Sequence, residues 1–517
     1  MSATEPVSVH ILDREYTVGV APDERSSLMA AAKLLDSRMR EVRGSNRMAA
    51  VDRVAVLAAL NLAHELQQLR DEQHARNREV ERIAPAPAAG RVQRVQIEDD
   101  QFGHFAPIAR SMAQEAAQWP DILVNDAITA QLGAIAHGYR YNFTTDALEE
   151  LTEIIRARVG GNLRDMVYVT GGSEAVESCL KIALQYQTAI GQKSRRRFIS
   201  RERSWHGNTL GALGLSGFAE RTAAYEGAFI PSIKLSPANA YRPIAGASAE
   251  TAGAAAAAEL EAAILAHGPE TIAGFVFEPV VGAAGGCVPT PEGYAQAVRE
   301  ICSRYGVLMI ADEVMSGAGR CGTWRALAHD GVEPDIMSVA KGLAGGYQPL
   351  GAAICTTTVW EAIRAKDGAF GTGHTFTGHT AACAAGVAVQ KIVEREGLVA
   401  KVAANGPRLK AWLAEALAGV EAVGDIRGRG HFIALELVAD RETKVPFEVG
   451  RKLFMKIRAQ AMENGLVCYP VGGNVDGVSG DIVIFAPPYN CTDAELTEIV
   501  DKGARSVRQV LQAEGLA

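Results

Sequence analysis

Paired cysteines are missing from this sequence. Its eight cysteines stand singly among 517 residues, and neither a Cys-x-x-Cys pair nor the cysteine and histidine spacing of a zinc site occurs. This pattern argues against a disulfide framework and against a metal site. We therefore expect small buried residues or free thiols in a protein of the reducing cytoplasm, with no metal.

Long apolar runs are missing as well. The first residues, MSATEPVSVHILDREY, lack the basic start and the apolar stretch of a secretion signal. The run IAGFVFEPVVGAAGG is interrupted by Glu278, and no apolar stretch is long enough to span a bilayer. The sequence therefore predicts a protein that is neither exported nor embedded in a membrane.

Positive charge is not in excess. Lysine and arginine total 52 against 60 aspartates and glutamates, which gives a net charge of -8. A nucleic-acid-binding protein would usually present a basic face. We interpret the basic run KSRRRFISRER, at 193–203, as a solvated helix end and strand entry, and we expect no nucleic-acid partner.

The composition is that of a globular protein with more than one domain. Apolar residues make up 48% of the chain and charged residues 22%. The stretch IAPAPAAGR, at 83–91, is a proline and alanine spacer between two parts of different texture. We therefore place a domain boundary there.

Residues 1–82 combine a short strand pair with helices. VSVHILDREYTVGVA has the alternation of a half-buried hairpin, and residues 24–42 follow with a helical pattern. A long helical pattern then carries one apolar stripe, at Val51, Val54, Ala58, Leu62, Leu66 and Leu69. Because one exposed helix gains little alone, we expect the stripe to pack against another chain; an ordinary core helix is the alternative.

The stretches ILDREYTVGVAPDER and DRVAVLAALNLAHEL resemble the ZapA family of cell-division proteins. The resemblance implies a small α+β module over residues 1–82, with a strand pair, a short helix and a long coiled-coil helix. Through that helix, it also implies assembly beyond a dimer.

From residue 92 onward, helical patterns alternate with short apolar runs. The runs MVYVT (166–170), GFVFE (274–278) and VLMIAD (307–312) are apolar on both faces. This alternation predicts a parallel sheet covered by helices on both sides. In such sheets ligands bind beyond the carboxyl ends of the strands, so the residues that end these runs are candidates for a functional site.

A glycine-rich turn follows the first of these runs. Two glycines, Gly171 and Gly172, follow Thr170 and allow a tight turn, and Ser173 opens the helical segment. Free N–H groups at a helix start, together with the positive end of the helix dipole, form a seat for an anion such as phosphate. The turn is weak evidence alone and gains weight from what accompanies it.

Asp312 and Lys341 each follow an apolar run. A buried carboxylate costs several kcal/mol unless it meets a cation or a strong donor. The two residues form a salt bridge, or are unrelated loop residues, or both face one cofactor. Pyridoxal phosphate requires an acid at its pyridine nitrogen, a lysine at its aldehyde carbon and a phosphate seat. Trp205 and Val314 would cover the two faces of its flat ring.

From about residue 122 onward, the chain resembles the class III aminotransferases, of the fold type I group of pyridoxal-phosphate enzymes. The matching motifs, in family order, are TGGSEAVESCLKIA, SWHGNT, FEPVVGAAGG, LMIADEVMSGAGRCG, DIMSVAKGLAGGYQPLGA and HTFTGHTAACAAG. The resemblance implies an α/β fold with a mainly parallel seven-stranded sheet in a large domain, residues 146–405. It also implies a small α+β domain, residues 406–517, and a short N-terminal part, residues 92–145.

The same resemblance implies the roles of the central residues. Lys341 would bind pyridoxal 5'-phosphate covalently and carry protons, while Asp312 would pair with the pyridine nitrogen. Gly172 and Ser173 would hold the phosphate, and Val314 would contact one face of the ring. The chemistry implied is the transfer of an amino group from an amine donor to an oxo-acid acceptor.

Four further residues complete the expected site. Thr375 of HTFTGH would reach the phosphate of the neighbouring subunit, which implies an obligate homodimer with shared active sites. Glu278 and His206 would support the cofactor from nearby. Trp205 stands where the family usually has Tyr or Phe, so the stacking contact is kept and the phenol hydroxyl is lost.

Two substitutions bear on the substrate. Family members that act on glutamate or ornithine-like substrates carry an acid and an arginine where this chain has Ala283 and Ile484. The usual bidentate cation for an α-carboxylate is therefore absent from its place. This favours an amine or an ω-amino acid as donor, with a pyruvate-like acceptor.

Other functions stay open at this level. An aminomutase, racemase or decarboxylase can use the same fold and cofactor. A self-associating division protein with an inactive aminotransferase fold is a further alternative. The stretch 91–120 is short for the family and favours a loss of activity, whereas intact Asp312 and Lys341 argue against it.

Overall fold

The computed structural model describes residues 5–11, 14–20, 25, 28–29, 32–33, 35–37, 39–40, 123–140 and 142–516. The chain divides into two compact units, Met1–Gln96 and Ile97–Ala517. The predicted long helix, the spacer at 83–91 and the short stretch at 92–120 lie outside the described residues.

The first unit contains the predicted hairpin. Its strands are β1 (Glu5–Ile11) and β2 (Arg14–Val20). They pair antiparallel along their whole length. Val7 and Val9 are buried and pack with Ala32, while Ser8 between them is exposed. The alternation in the sequence therefore becomes one buried and one exposed face, as a two-residue period requires.

The second unit is built around a seven-stranded sheet. The strands of this part of the chain are β3 (Leu163–Val169), β4 (Arg197–Arg201), β5 (Ile233–Leu235), β6 (Ile272–Phe277), β7 (Val280–Val281), β8 (Val288–Pro289), β9 (Leu308–Asp312), β10 (Ile336–Val339) and β11 (Gly351–Thr356). The sheet order is β3-β11-β10-β9-β6-β4-β5, and β7 and β8 form a separate antiparallel pair. β11 runs antiparallel to both of its neighbours, β3 and β10, and all the other pairings in this sheet are parallel. The prediction of a mainly parallel sheet is confirmed.

Helices cover both faces of this sheet. In chain order the helices of this part of the chain are α1 (Leu123–Ala134), α2 (Asp146–Val159), α3 (Gly172–Ala189), α4 (Leu210–Leu215), α5 (Ala219–Thr222), α6 (Ala252–His267), α7 (Tyr294–Tyr305), α8 (Thr357–Asp367) and α9 (Thr380–Arg395). Along β9, Met309 and Ala311 enter one apolar core, while Leu308 and Ile310 enter the other. Because β9 is buried on both faces, we expect a polar side chain only at its carboxyl end, and Asp312 lies there.

A four-stranded antiparallel sheet forms the C-terminal part. Its strands are β12 (Val423–Arg429), β13 (Phe432–Leu437), β14 (Tyr469–Gly472) and β15 (Asp481–Phe485), in the order β12-β13-β15-β14. Its helices are α10 (Leu398–Ala416), α11 (Leu453–Glu463) and α12 (Asp493–Ala513). Leu409, Leu435 and Val507 meet in a core of their own. The expected domain boundary at 405/406 lies inside α10, which continues without interruption.

Two further observations concern the cysteines and the length of the helices. All eight cysteines are unpaired thiols, and seven of them are buried. Among the described residues, no helix has the length and apolar character needed to cross a membrane.

Gly406 fixes how closely α10 approaches the loop before β13. A Cβ atom at this position would lie 2.7 Å from Cα of Gly430 and 2.8 Å from its backbone nitrogen. No side-chain rotation relieves a clash with backbone. We expect Gly406→Ala to destabilise the fold by about 1–3 kcal/mol, seen as a lower midpoint in thermal unfolding followed by circular dichroism.

Gly133→Ala is the matched control for this experiment. Gly133 is also a helical glycine, but a Cβ there meets no atom within 4 Å. Its substitution should leave the unfolding midpoint unchanged or raise it slightly, because alanine favours a helix by about 1 kcal/mol over glycine. Equal midpoints for the two variants would contradict the proposed packing constraint.

Candidate active site

The carboxyl ends of β3, β9 and β10 surround one cavity of about 490 Å³. Each of these strands is followed by a residue that sequence analysis had singled out. The predicted site residues that line the cavity are Gly172, Ser173, Trp205, His206, Glu278, Asp312, Val314 and Lys341. Residues separated by up to 169 positions in the chain thus converge on a single space, because parallel strands end at the same edge of the sheet.

Asp312 is held at the end of β9 by three donors and is nearly inaccessible. Its Oδ1 accepts hydrogen bonds from the Val314 N–H, at 3.1 Å, and from the Ser338 hydroxyl, at 2.9 Å. Its Oδ2 lies 2.8 Å from Nδ1 of His206. This contact requires a proton on Nδ1 of His206. The polar partners offset the cost of burying the carboxylate.

Lys341 follows β10 and starts a 3-10 turn, Lys341–Leu343. Its φ of 46° lies in the left-handed region, which is uncommon for a residue with a Cβ. Burial lowers the pKa of Lys341, while the charges of Asp312 and Glu278 oppose that change. Both Lys341 and Asp312 line the cavity, and no ion pair joins them in the part of the chain that the structure describes.

The N-terminus of α3 forms another wall of the cavity. Gly171 precedes the helix, and Gly172 and Ser173 begin it. A Cβ on Gly172 would lie 2.7 Å from a methyl group of Val314, so glycine allows this close approach. The Ser173 hydroxyl accepts a hydrogen bond from the Asn208 N–H, at 3.0 Å. The helix start is thereby fixed against the loop that carries Trp205 and His206.

Glu278 also fixes the loop that carries Trp205 and His206. Its two carboxylate oxygens accept hydrogen bonds from the N–H groups of Trp205 and Gly282, each at 2.9 Å. Burial raises the pKa of Glu278 to about 7; the charge of His206 opposes the shift, and that of Asp312 adds to it. Glu278 is therefore able to carry a proton near neutral pH.

Trp205 is packed between the cavity and a cationic side chain. Its ring meets Phe218 edge-on, with centroids 6.2 Å apart. The guanidinium carbon of Arg221 lies 4.7 Å from the centroid of the Trp205 ring. The indole is thus an immobilised flat surface at the cavity wall.

A second cavity, of about 310 Å³, shares Val314, Met315 and Lys341 with the first. Tyr469 and Ile484 are among its lining residues. Ile484 belongs to one apolar cluster with Ala283, and both are fully buried. Ala283 and Ile484 therefore belong to one apolar cluster. They are the two positions at which the sequence departs from the pattern of glutamate-specific family members.

Thr375 lies outside both cavities of its own chain. It is exposed, as is the next residue, Phe376. The structure of a single chain therefore does not bring Thr375 to the site, and its predicted contact with a neighbouring subunit stays a prediction.

Several residues of the site were missed in the sequence analysis. Ser338 could have been found, since it is a lone hydroxyl in the apolar run DIMSVA one strand away from Asp312. Arg221 and Tyr469 gave no such signal, because their positions depend on loop paths that no short motif encodes. No group of three or more histidine, cysteine, aspartate or glutamate side chains suited to a metal occurs among the described residues.

The residues of the first cavity fit pyridoxal phosphate. A helix N-terminus without a side chain at Gly172 provides the anion seat, and a buried carboxylate and an amine stand on the same cavity. Nε2 of His206 is buried, with no partner among the described residues. The fold and the cavity together define an enzyme that uses this cofactor.

Comparison with known proteins identifies the family. The family model for Aminotransferase class-III matches residues 119–506. The model for Cell division protein ZapA matches residues 7–111, and one for Mu-like prophage major head subunit gpT overlaps both, at 75–154. The chain belongs to the class III aminotransferase family, and it is a pyridoxal-phosphate-dependent transaminase.

Relatives and solved structures agree with this assignment. An aminotransferase of Gibberella zeae is 38% identical, over 74% of this chain and 76% of its own. Diaminobutyrate--2-oxoglutarate transaminase of Halomonas elongata is 36% identical, over 70% and 77%. The omega transaminase of Pseudomonas jessenii in complex with PMP is 31% identical, with a TM-score of 0.72 over 77% and 86%. These names favour amino-group transfer over the other reactions considered for the fold.

The raised pKa of Glu278 predicts a pH dependence of stability. The folded protein keeps this carboxyl protonated up to about pH 7, whereas its ordinary value is 4.5. Glu278 therefore stabilises the folded state below pH 4.5, and this contribution is lost as the pH rises to about 7. We expect Glu278→Gln to flatten the decline between these pH values, by roughly 1–3 kcal/mol.

The measurement is the free energy of unfolding of cofactor-free protein as a function of pH. Glu421→Gln is the control: this side chain is 83% exposed, and its substitution should leave the profile unchanged. Parallel profiles for wild type and Glu278→Gln would show that the carboxyl is ionised throughout.

Proposed function

We propose that this enzyme moves an amino group from an amine or an ω-amino acid to an oxo acid such as pyruvate. The observation that carries the proposal is the convergence of Lys341, Asp312 and the N-terminus of α3 on one cavity. Bound pyridoxal phosphate would supply the electron sink of the reaction. The chain's own groups would bind it, orient it and move protons.

Asp312 would hold the pyridine nitrogen and keep it protonated. Its carboxylate is fixed by His206, Ser338 and the Val314 N–H, so the charge stands ready without rearrangement. His206 would act on the cofactor through Asp312. Trp205 and Val314 would enclose the ring from its two faces, and the N–H groups of Gly172 and Ser173 would receive the phosphate.

Lys341 would be the covalent anchor and the proton carrier. Desolvation lowers the pKa of Lys341, which increases the fraction of neutral amine that can accept a proton near neutral pH. Its left-handed backbone positions the side chain at the junction of the two cavities. Glu278 would remain a supporting residue that anchors the loop of Trp205.

The substrate preference follows from the apolar pair at Ala283 and Ile484. Both side chains are apolar and buried in one cluster, so neither of these two positions offers a cation to an α-carboxylate. A donor that carries glutamate's α-carboxylate would leave that charge in an apolar wall. We therefore favour amines and ω-amino acids as donors and disfavour glutamate and ornithine.

We propose an obligate homodimer in which Thr375 completes the partner's phosphate site. Thr375 and Phe376 are exposed in the loop before α9, and Tyr139 and Phe143 are exposed as well. Exposed aromatic side chains of this kind are typical of a surface that another chain covers.

We propose that residues 1–82 are a ZapA-like self-association module. The match to the ZapA family model and the hairpin of β1 and β2 support this proposal. Through its predicted long helix, the module would join dimers of the enzyme into larger assemblies. Eight unpaired cysteines support a location in the reducing cytoplasm.

Lys341→Ala tests the function directly. Loss of the amine removes both the covalent anchor and the proton carrier, so we expect transaminase activity to fall by at least about 10³-fold. The visible absorbance of the lysine-bound cofactor should also disappear. Activity would be followed with an amine donor and pyruvate.

Lys391→Ala is the matched control. Lys391 is an exposed lysine that pairs with Glu150, far from the cavity lining. The control should retain both activity and absorbance. Persistence of both signals in Lys341→Ala would refute the assignment of the lysine.

Subunit complementation tests the shared site. Thr375→Ala should weaken cofactor retention, because each phosphate loses a donor from the partner chain. Mixing it with Lys341→Ala, after dissociation and reassociation, should restore activity. In a mixed dimer, one of the two sites contains both an intact Lys341 and an intact Thr375.

The expected recovery is up to about half of the wild-type activity per mixed dimer, since one of its two sites is complete. Mixing Lys341→Ala with wild-type-like Lys391→Ala controls for subunit exchange. An unchanged, low activity despite proven exchange would place Thr375 in the site of its own chain or outside the site.

A further inference from the structure

The 3-10 turn Lys341–Leu343 keeps Lys341 in an uncommon backbone conformation. A residue with a Cβ rarely adopts a φ of 46°, so the surrounding contacts must hold Lys341 there. Within the turn, the N–H of Leu343 donates to the carbonyl of Ala340, at 3.0 Å. A turn this short leaves the carbonyls at its end without a partner inside the turn, and Leu343 is fully buried. The group that pairs with these carbonyls therefore decides how firmly the turn is held.

The backbone of Lys341 sets the direction of its side chain. Both cavities are lined by this residue, so its amine has to reach their junction. The direction of the Cα–Cβ bond depends on the backbone, and a turn that relaxed to a common conformation would aim the side chain elsewhere. The contacts of the turn therefore bear on the position of the amine.

Gln390 pairs with the carbonyls at the end of the turn. It lies on α9 and is fully buried. Its Nε2 donates to the carbonyl of Leu343, at 3.0 Å, and to that of Gly342, at 3.4 Å. The two residues directly after Lys341 are thus held by one side chain from a separate helix.

The orientation of the Gln390 amide is determined by its other partners. Its Oε1 accepts from Nη1 of Arg158, at 2.7 Å, and from Nε1 of Trp324, at 3.4 Å. Guanidinium and indole nitrogens only donate and carbonyl oxygens only accept, so a flipped amide would lose all four contacts. Arg158 is itself held by Glu394, at 2.7 Å. Gln390 is therefore fixed as a donor toward the turn.

A second buried glutamine, Gln187, shows a similar arrangement in another place. Its Nε2 donates to the carbonyls of Ala273 and Gly306, at 3.2 and 3.3 Å. It lies near the C-terminal end of α3, is 1% exposed and lines neither cavity. A buried glutamine that bridges two carbonyls is thus not a sign of chemistry by itself. Gln390 differs because its two carbonyls belong to the turn of Lys341.

We propose that Gln390 is a positioning residue for transamination, which fixes Lys341 by holding the carbonyls of Gly342 and Leu343. Gln390 lines neither cavity and acts through the turn alone. The inference rests on the proposed role of Lys341 as anchor and proton carrier. Its loss should slow the proton transfers, because a misplaced amine reacts slowly even when the substrates bind normally.

Gln390→Glu is the central test. The new carboxylate still accepts from Arg158 and Trp324, and the adjacent guanidinium favours its ionised form. It cannot donate to the turn, and its second oxygen repels the carbonyls there. With an amine donor and pyruvate, we expect kcat to fall about 10- to 100-fold and both KM values to stay within about threefold. Gln390→Met removes the donor without adding a charge and should lower kcat as well.

Gln187→Met is the matched control for Gln390→Met. Each substitution removes a donor to two buried backbone carbonyls, so both should lower the midpoint of thermal unfolding. Only Gln390→Met should lower kcat. An equal fall of kcat in the two methionine variants would overturn the proposal, as would an unchanged kcat in Gln390→Glu.

Hydrogen exchange of the cofactor-free protein tests the turn without turnover. We expect the backbone N–H groups of Lys341–Leu343 to exchange about tenfold faster in both Gln390 variants, the range for one lost hydrogen bond. Gln187→Met should leave this segment unchanged. Unchanged exchange in the Gln390 variants, or exchange that is faster to the same extent in the strands of the sheet, would contradict the positioning role. Activity that survives in Lys341→Ala, with the local difference intact, would instead refute the proposed role of the lysine.

Discussion

The site depends on the burial of one carboxyl group, that of Asp312, at the end of a strand inside the sheet. Asp312 ends a strand whose other residues are apolar, and little solvent reaches it. Three hydrogen bonds, from a histidine, a serine and a backbone N–H, offset that burial. Each donor comes from a different segment of the chain. The packing of those segments therefore determines where the carboxyl group lies. Lys341 follows the adjoining strand, in which Ser338 stands opposite Asp312.

The general architecture could be predicted because it follows from short-range pattern. Runs such as VLMIAD are apolar at every position, and only a strand buried on both faces uses such a run. The alternation at Val7 and Val9 likewise specified a half-buried hairpin. The antiparallel strand β11 was not foreseen, since strand direction depends on the path of the connecting chain.

The convergence of the residues at the strand ends could be predicted from the sequence, whereas their supporting contacts could not. Asp312, Lys341 and the turn at Gly172 lie at or beyond the carboxyl ends of strands, where ligands bind in doubly covered sheets, and they line one cavity. The hydrogen bond between His206 and Asp312 spans 106 positions, and that between Arg221 and Tyr469 spans 248. Contacts of such range depend on how separate loops pack, and no local spacing encodes them. Ala283 and Ile484 indicated which charged groups are missing from the site. The contact between Arg221 and Tyr469, by contrast, is visible only in the folded chain.

The tryptophan at position 205 gives the molecule an optical property of its own. Its indole lies on the cofactor cavity, held edge-on by Phe218 and stacked on a guanidinium. The chain has five tryptophans, and this one lines the same cavity as Lys341. A chromophore that absorbs at the emission wavelength of indole, placed on that ring, quenches its fluorescence by energy transfer. Binding and release of such a chromophore would therefore be measurable through the fluorescence of Trp205, without any added label.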